Sequence, residues 1–149
     1  MQKLQKGFTL VELLVVIGIL AILTAVVLVA VNPGKQLIQA RDTERKAEVN
    51  TVLSAVTALL ADPNATGSLP AMSTCPTMSN IFADATGGVG DVDLSVVAPV
   101  YVAALPEDPT TGGAALGDTG YDICQSPTNN RFTVTAPGAE GGVAISVTR

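Results

Sequence analysis

Glu12 stands at the head of a run that otherwise carries no charge, LLVVIGILAILTAVVLVAV over residues 13–31. A carboxylate in that place can snorkel to lipid headgroups or neutralise a cation brought up to it. A second group of acids, Asp91, Asp93, Glu107, Asp108, Asp118 and Asp122, lies among Gly- and Pro-containing stretches. Such oxygens suit calcium, but no complete EF-hand spacing is present. Solvated loop acids are therefore the preferred reading and no cofactor is expected, with Asp91, Asp93, Asp118 and Asp122 kept as secondary calcium candidates. Cys75 and Cys124 fit neither a CxxC redox pair nor a four-ligand zinc pattern. In an oxidising compartment they can form one disulfide, whose loop closure would contribute roughly 4 kcal/mol; elsewhere they are two small apolar side chains. Histidine is absent, which removes the commonest general base. No nucleophile-base pair or nucleophile elbow is evident, so no catalytic residue is assigned and an enzyme is not expected.

Composition says what must hold these residues. Of 149 residues 48% are hydrophobic, but only 3% are aromatic and 14% charged, which points to a membrane segment joined to a small polar domain. Lys3, Lys6, Lys35, Arg41, Arg45 and Lys46 fall in the first 50 residues, whereas Arg131 and Arg149 are the only cations among nine acids after them. The distal domain is acidic and repels phosphate, so no direct nucleic-acid ligand is expected.

Nineteen residues from 13 to 31 rise about 28 Å as a helix, close to the thickness of a bilayer core. Their Leu, Ile and Val side chains favour insertion by about 4 to 8 kcal/mol, while Glu12, at the edge, costs less than the roughly 2.5 to 3.5 kcal/mol of a mid-bilayer charge. A cleavable secretory signal has a shorter apolar core, and Leu28-Val29-Ala30 is a poor cleavage site. A plain signal anchor leaves Glu12 unexplained. It also conflicts with the loop charges, since Lys35, Arg41, Arg45 and Lys46 after the run outnumber Lys3 and Lys6 before it.

Lys6-Gly7 followed by Phe8-Thr9-Leu10-Val11-Glu12 and the apolar run resembles the processing motif of type IV prepilins and type II secretion pseudopilins. The resemblance implies cleavage between Gly7 and Phe8 by a prepilin peptidase and N-methylation of Phe8. Residues 1–7 would be the leader and 8–31 the transmembrane and filament-core helix. It further implies a single pass through the bacterial cytoplasmic membrane, N-terminus inside, followed by entry into an extracellular or periplasmic filament. An assembly ATPase and a membrane platform protein are the implied partners, besides further copies of the chain in a helical homo-oligomer. Cleavage would create an amine on Phe8 with an unperturbed pKa of about 7.7 to 8.0. Burying either charge alone costs several kcal/mol, so a neighbour's Glu12 against that amine would act as a register key for assembly. The expected function is a type IV pilus-like filament subunit; the alternatives are a type II secretion pseudopilin and, further off, a membrane-anchored extracellular binding domain that never polymerises.

The remaining pattern predicts an α+β, type IV pilin-like fold: a long N-terminal helix whose C-terminal half packs on a small antiparallel sheet. Asn32-Pro33-Gly34 interrupts the helix, either as a kink near Pro33 or as the junction of two helices with Asn32 as cap. Over residues 32–61, Val49, Val52, Leu53, Val56, Leu59 and Leu60 recur at spacings of three and four and make one apolar face. The charged stretch Arg41–Lys46 reads as a solvated face, with subunit contact as the other reading. Residues 62–149 form the exported domain. It begins with a long connection over 62–110 that holds one short helix near Leu94–Val97. A β-meander over about 119–149 follows, placing Tyr121 and Ile123, Phe132 and Val134, then Val143, Ile145 and Val147 on the covered face. Cys124 falls out of phase and faces the other way, toward the connection that carries Cys75.

Overall fold

The computed structural model describes residues 7–111 and 117–149. The chain divides into two units, Met1–Leu37 and Ile38–Arg149.

Helix α1 spans Leu10–Val31. Among the described residues it is the one helix long and apolar enough to cross a membrane, and none of its residues is buried. Thr9, in extended conformation, caps its start. Its end is set by Asn32, which turns into the left-handed region at φ 43°; a short polar side chain tolerates that conformation where a β-branched one does not. Helix α2 begins at once, Pro33–Ala61. Asn32 therefore serves twice: its carbonyl and its side-chain oxygen both accept from the Lys35 N–H, at 3.1 and 3.3 Å. Pro33 occupies the first helical position, where its missing N–H costs nothing. Of the two readings of Asn32-Pro33-Gly34, the junction of two helices is the one observed.

From Ile38 onward, the C-terminal part of α2 accompanies a five-stranded sheet. Its strands are β1 (Ser79–Phe82), β2 (Val92–Asp93), β3 (Asp118–Gln125), β4 (Phe132–Ala136) and β5 (Ile145–Thr148), in the order β2-β1-β3-β4-β5. The β1–β3, β3–β4 and β4–β5 pairs are antiparallel, but β1–β2 is parallel. The 62–110 connection therefore contributes two strands that the pattern did not predict, besides a 3-10 turn at Ser95–Val97. Their brevity explains the miss: SNIF and VD are too short for alternation to register.

One apolar cluster joins α2 to the sheet: Val49, Val52, Leu53, Val56 and Leu59 meet Ile81, Val92, Tyr121, Ile123, Phe132, Val134 and Ile145. Each such side chain, fully buried, stabilises by about 1.5 to 3 kcal/mol relative to exposure. Two members of the predicted faces depart. Leu60, the second of two consecutive leucines, turns about 100° off the stripe and is 55% exposed. Val143 precedes β5 and is exposed, because the β4–β5 connection is shaped by polar contacts to α2 described below.

Candidate functional site

Gly7 and Phe8 lie before the cap, outside any regular element. Phe8 is 87% exposed, and a side chain built on Gly7 would meet nothing within 4 Å. The Gly7–Phe8 peptide is thus accessible. Glu12, one turn further, completes a capping box. Its Oε2 accepts from the Thr9 N–H at 2.9 Å and from the Thr9 hydroxyl at 2.7 Å, while its own N–H donates to Thr9 Oγ1 at 3.2 Å. Among the described residues no cation of its own chain pairs with it. Thr9 thus holds the carboxylate in place at the head of the helix.

The second unit holds a constellation that the sequence reading placed on a solvated face. Arg45 is fully buried. Its Nε and Nη2 fork onto Asp108 at 2.6 and 3.1 Å, and Nη2 also reaches the Thr110 hydroxyl at 2.6 Å. Nη1 donates to Asp42 at 2.9 Å and to Glu140 at 3.2 Å. All five N–H donors of the guanidinium are met, the arrangement its rigid fork favours. Arg41, one turn earlier, pairs with Glu140 at 2.5 and 2.9 Å. Asp42 in turn accepts from the backbone N–H groups of Glu140 and Gly141 at 3.1 and 2.7 Å.

Two glycines make this approach possible. A side-chain carbon at Gly138 would come within 2.8 Å of an Asp108 oxygen, and one at Gly141 within 2.5 Å of an Asp42 oxygen. The Pro137–Gly142 connection is therefore seated on the helix by backbone and carboxylate together. One turn beyond Arg45, the Tyr121 hydroxyl donates to Glu48. Arg41, Arg45, Glu48, Val49, Val52 and Val56 follow one another along one face of α2. That inner face thus changes from ionic to apolar along its length. The phase relation was the available signal: Arg45 lies four residues before Val49 on the same stripe.

The electrostatics follow from these contacts. Burial pushes the Asp108 carboxyl up, but Arg45, the N–H groups of Thr110 and Thr111 and the Thr110 hydroxyl outweigh it and hold the group well below the usual carboxylate range. Asp42 is lowered by the Glu140 N–H first and by Arg45 as well. Glu140 is lowered, chiefly by Arg41. Burial and the bond to Glu48 push the Tyr121 phenol far up, so it remains a donor. Among the described residues every buried side-chain nitrogen or oxygen has a partner.

The remaining acids stand apart. Asp91 accepts from the Gly88 N–H at 2.7 Å, Asp93 from the Ser95 N–H at 2.8 Å and Asp118 from the Gly120 N–H at 2.9 Å. Asp122 is pushed up by burial and by repulsion from Asp118 and Asp91. Among the described residues no three His, Cys, Asp or Glu side chains come together as a metal would require. Asp108 belongs to Arg45. Cys75 and Cys124 form a disulfide, Cα to Cα 5.2 Å, beside the Thr74–Gln125 bridge.

Residues 2–28 match the family model of the prokaryotic N-terminal methylation motif, the signature of prepilin-like proteins of the type IV pilin and pseudopilin kind. The chain therefore carries a prepilin-type N-terminal motif, and its long N-terminal helix and α+β architecture are consistent with a pilin fold. Comparison with curated proteins and with solved structures gave no match.

Proposed function

We propose that the chain is a structural subunit of a type IV pilus-like filament. It is made as a prepilin, cleaved between Gly7 and Phe8, methylated on Phe8, held in the bacterial cytoplasmic membrane by α1 and then polymerised outside it. The observation that carries this reading is α1 itself: an apolar helix exposed on every face, headed by a fixed carboxylate that no cation meets among the described residues, and lying largely within the methylation motif of residues 2–28. Lipid can cover such a surface, and so can the helices of other copies. Lifting it out of the membrane is feasible only when those helices bury it again. The amine of one processed copy against Glu12 of the next selects one stagger, because an unpaired charge in that core is costly. A head-to-tail contact of this kind does not close, so it propagates as an open fibre. Prepilin peptidase, an assembly ATPase and a membrane platform protein are the partners this route requires.

The test is Glu12→Ala in the native host. Cleavage and membrane insertion are expected to persist while incorporation into sheared surface fibres falls to background. Wild-type fibre yield from this variant would overturn the proposed role of Glu12.

A further inference from the structure

The apolar stripe of α2 does not by itself define where the helix sits along the sheet. Val49, Val52, Leu53, Ala55 and Val56 are buried. Moving α2 on by three residues would put Val52, Ala55, Val56, Ala58 and Leu59 in their places; by four, Leu53, Val56, Thr57, Leu59 and Leu60. Both sets are predominantly apolar, and the shift is only about 4.5 to 6 Å. Cores tolerate such repacking when volume and pattern are kept. Only at the last buried position, Leu59, does the stripe run out, into Asp62 or Pro63. The connection between Asp62 and Ser73 would have to follow, because Thr74 and Cys75 are tied to Gln125 and Cys124 of β3. A shift the other way is barred, since Lys46 or Arg45 would enter the place of Val49.

What opposes the permitted shift is the ionic end of the same face. Asp42 travels with α2, but Asp108 and Glu140 belong to the segments that flank the sheet. A three-residue shift would bring Glu48 into the place of Arg45, a carboxylate against two carboxylates. A four-residue shift would bring Val49 there, leaving the Asp108 side chain, which is wholly buried, without its counter-ion. Both are costly in a dry site. The Tyr121–Glu48 and Tyr101–Asp62 hydrogen bonds act in the same direction, each through one hydroxyl.

We infer that Arg45 sets the register of α2 on the sheet: its five donors are met in only one of the positions that the apolar stripe allows. Asp108 is the fixed half of this lock and Arg45 the moving half. In the observed register Glu140 keeps Arg41 when Arg45 is substituted, so Asp108 is the group whose charge is orphaned when the lock is removed.

The experiment is methyl NMR on the full chain in detergent micelles, following contacts of the Val52 and Val56 methyls with Ile123 and Val134. In Arg45→Met/Asp108→Asn the orphan charge is gone, and the asparagine retains an oxygen for the Thr110 and Thr111 N–H groups. The domain is expected to stay folded but to show a second set of methyl signals, on the order of a tenth of the total or more, with contacts displaced by one helical turn. A single set with wild-type contacts would overturn the lock and assign register to apolar packing. Should the double variant not fold, Arg45→Val/Val49→Arg decides, since it keeps every charge and moves the cation by one turn. Displacement of α2 that carries the relocated guanidinium to Asp108 supports the lock; wild-type register or no folded state overturns it. Neither readout depends on whether the chain polymerises.

Discussion

Glu12 and Arg45 are both charges set on apolar helical stripes, and the chain treats them in opposite ways. Around Arg45 it supplies Asp42, Asp108, Glu140 and Thr110, so the charge is buried and fully met within one molecule. Around Glu12, among the described residues, it supplies Thr9 and no cation. A buried charge left without its partner is costly, so it disfavours the arrangements that would unpair it. The arginine forbids wrong registers of α2 inside the domain, and on the proposed function the carboxylate forbids wrong staggers between copies. The difference lies in where the partner comes from.

The largest expected effect is at Arg45. Arg45→Met alone leaves Asp108 buried and unpaired, and denaturant unfolding of the domain should show a loss of about 3 to 5 kcal/mol. Glu12→Ala should leave that unfolding curve unchanged while removing fibres. Equal effects on domain stability would dissolve the distinction. Next in size, Leu53→Ala opens a cavity in the shared core and should cost about 2 to 5 kcal/mol in the same measurement. Leu23→Ala in α1 should cost the domain nothing, because Leu23 is exposed and belongs to no core among the described residues. Cys75→Ala/Cys124→Ala should lower domain stability by about 2 to 4 kcal/mol through the longer unfolded loop.

The smallest effects are in pH dependence. Asp108, Asp42 and Glu140 have folded pKa values below their unfolded ones. Their contribution is therefore complete above the unfolded range, about 3.9 to 4.3, and is lost as pH falls below it toward the folded values. Asp108→Asn should flatten the acid limb of the stability curve. Asp122 has the opposite sign: its folded pKa is raised, so it contributes nothing at low pH, where it is protonated in both states, and opposes folding once ionised. Asp122→Asn should raise the melting temperature slightly at about pH 7 and leave it unchanged below about pH 4. A fall at neutral pH would show that its carboxylate has a partner in solution.

What was legible in the sequence follows the same division. The apolar run, its carboxylate and the motif before it are local, and a bilayer demands only length and unbroken composition, which can be read along one dimension. The stripe Val49–Leu59 and the alternation at Tyr121–Ile123 and Phe132–Val134 are local too. The phase of Arg45 with Val49 was local, but its partners were not legible, because Asp108 and Glu140 are 63 and 95 residues away, and without them the stretch Arg41–Lys46 looks like any solvated face. Strands β1 and β2 were missed for a related reason: Val92 becomes a strand residue by pairing with Ile81, not through a pattern of its own. Val143 fits strand alternation but sits where Glu140 and Gly141 have been drawn to α2.

Processing at Gly7–Phe8 decides the proposed function, and the most direct measurement is the intact mass and N-terminal peptide of the protein isolated from membranes or fibres of its own host. The prediction is a chain that starts at Phe8, carries one added methyl and retains α1. A chain that starts at Met1, or one that starts near Val31 with the helix removed, would contradict it.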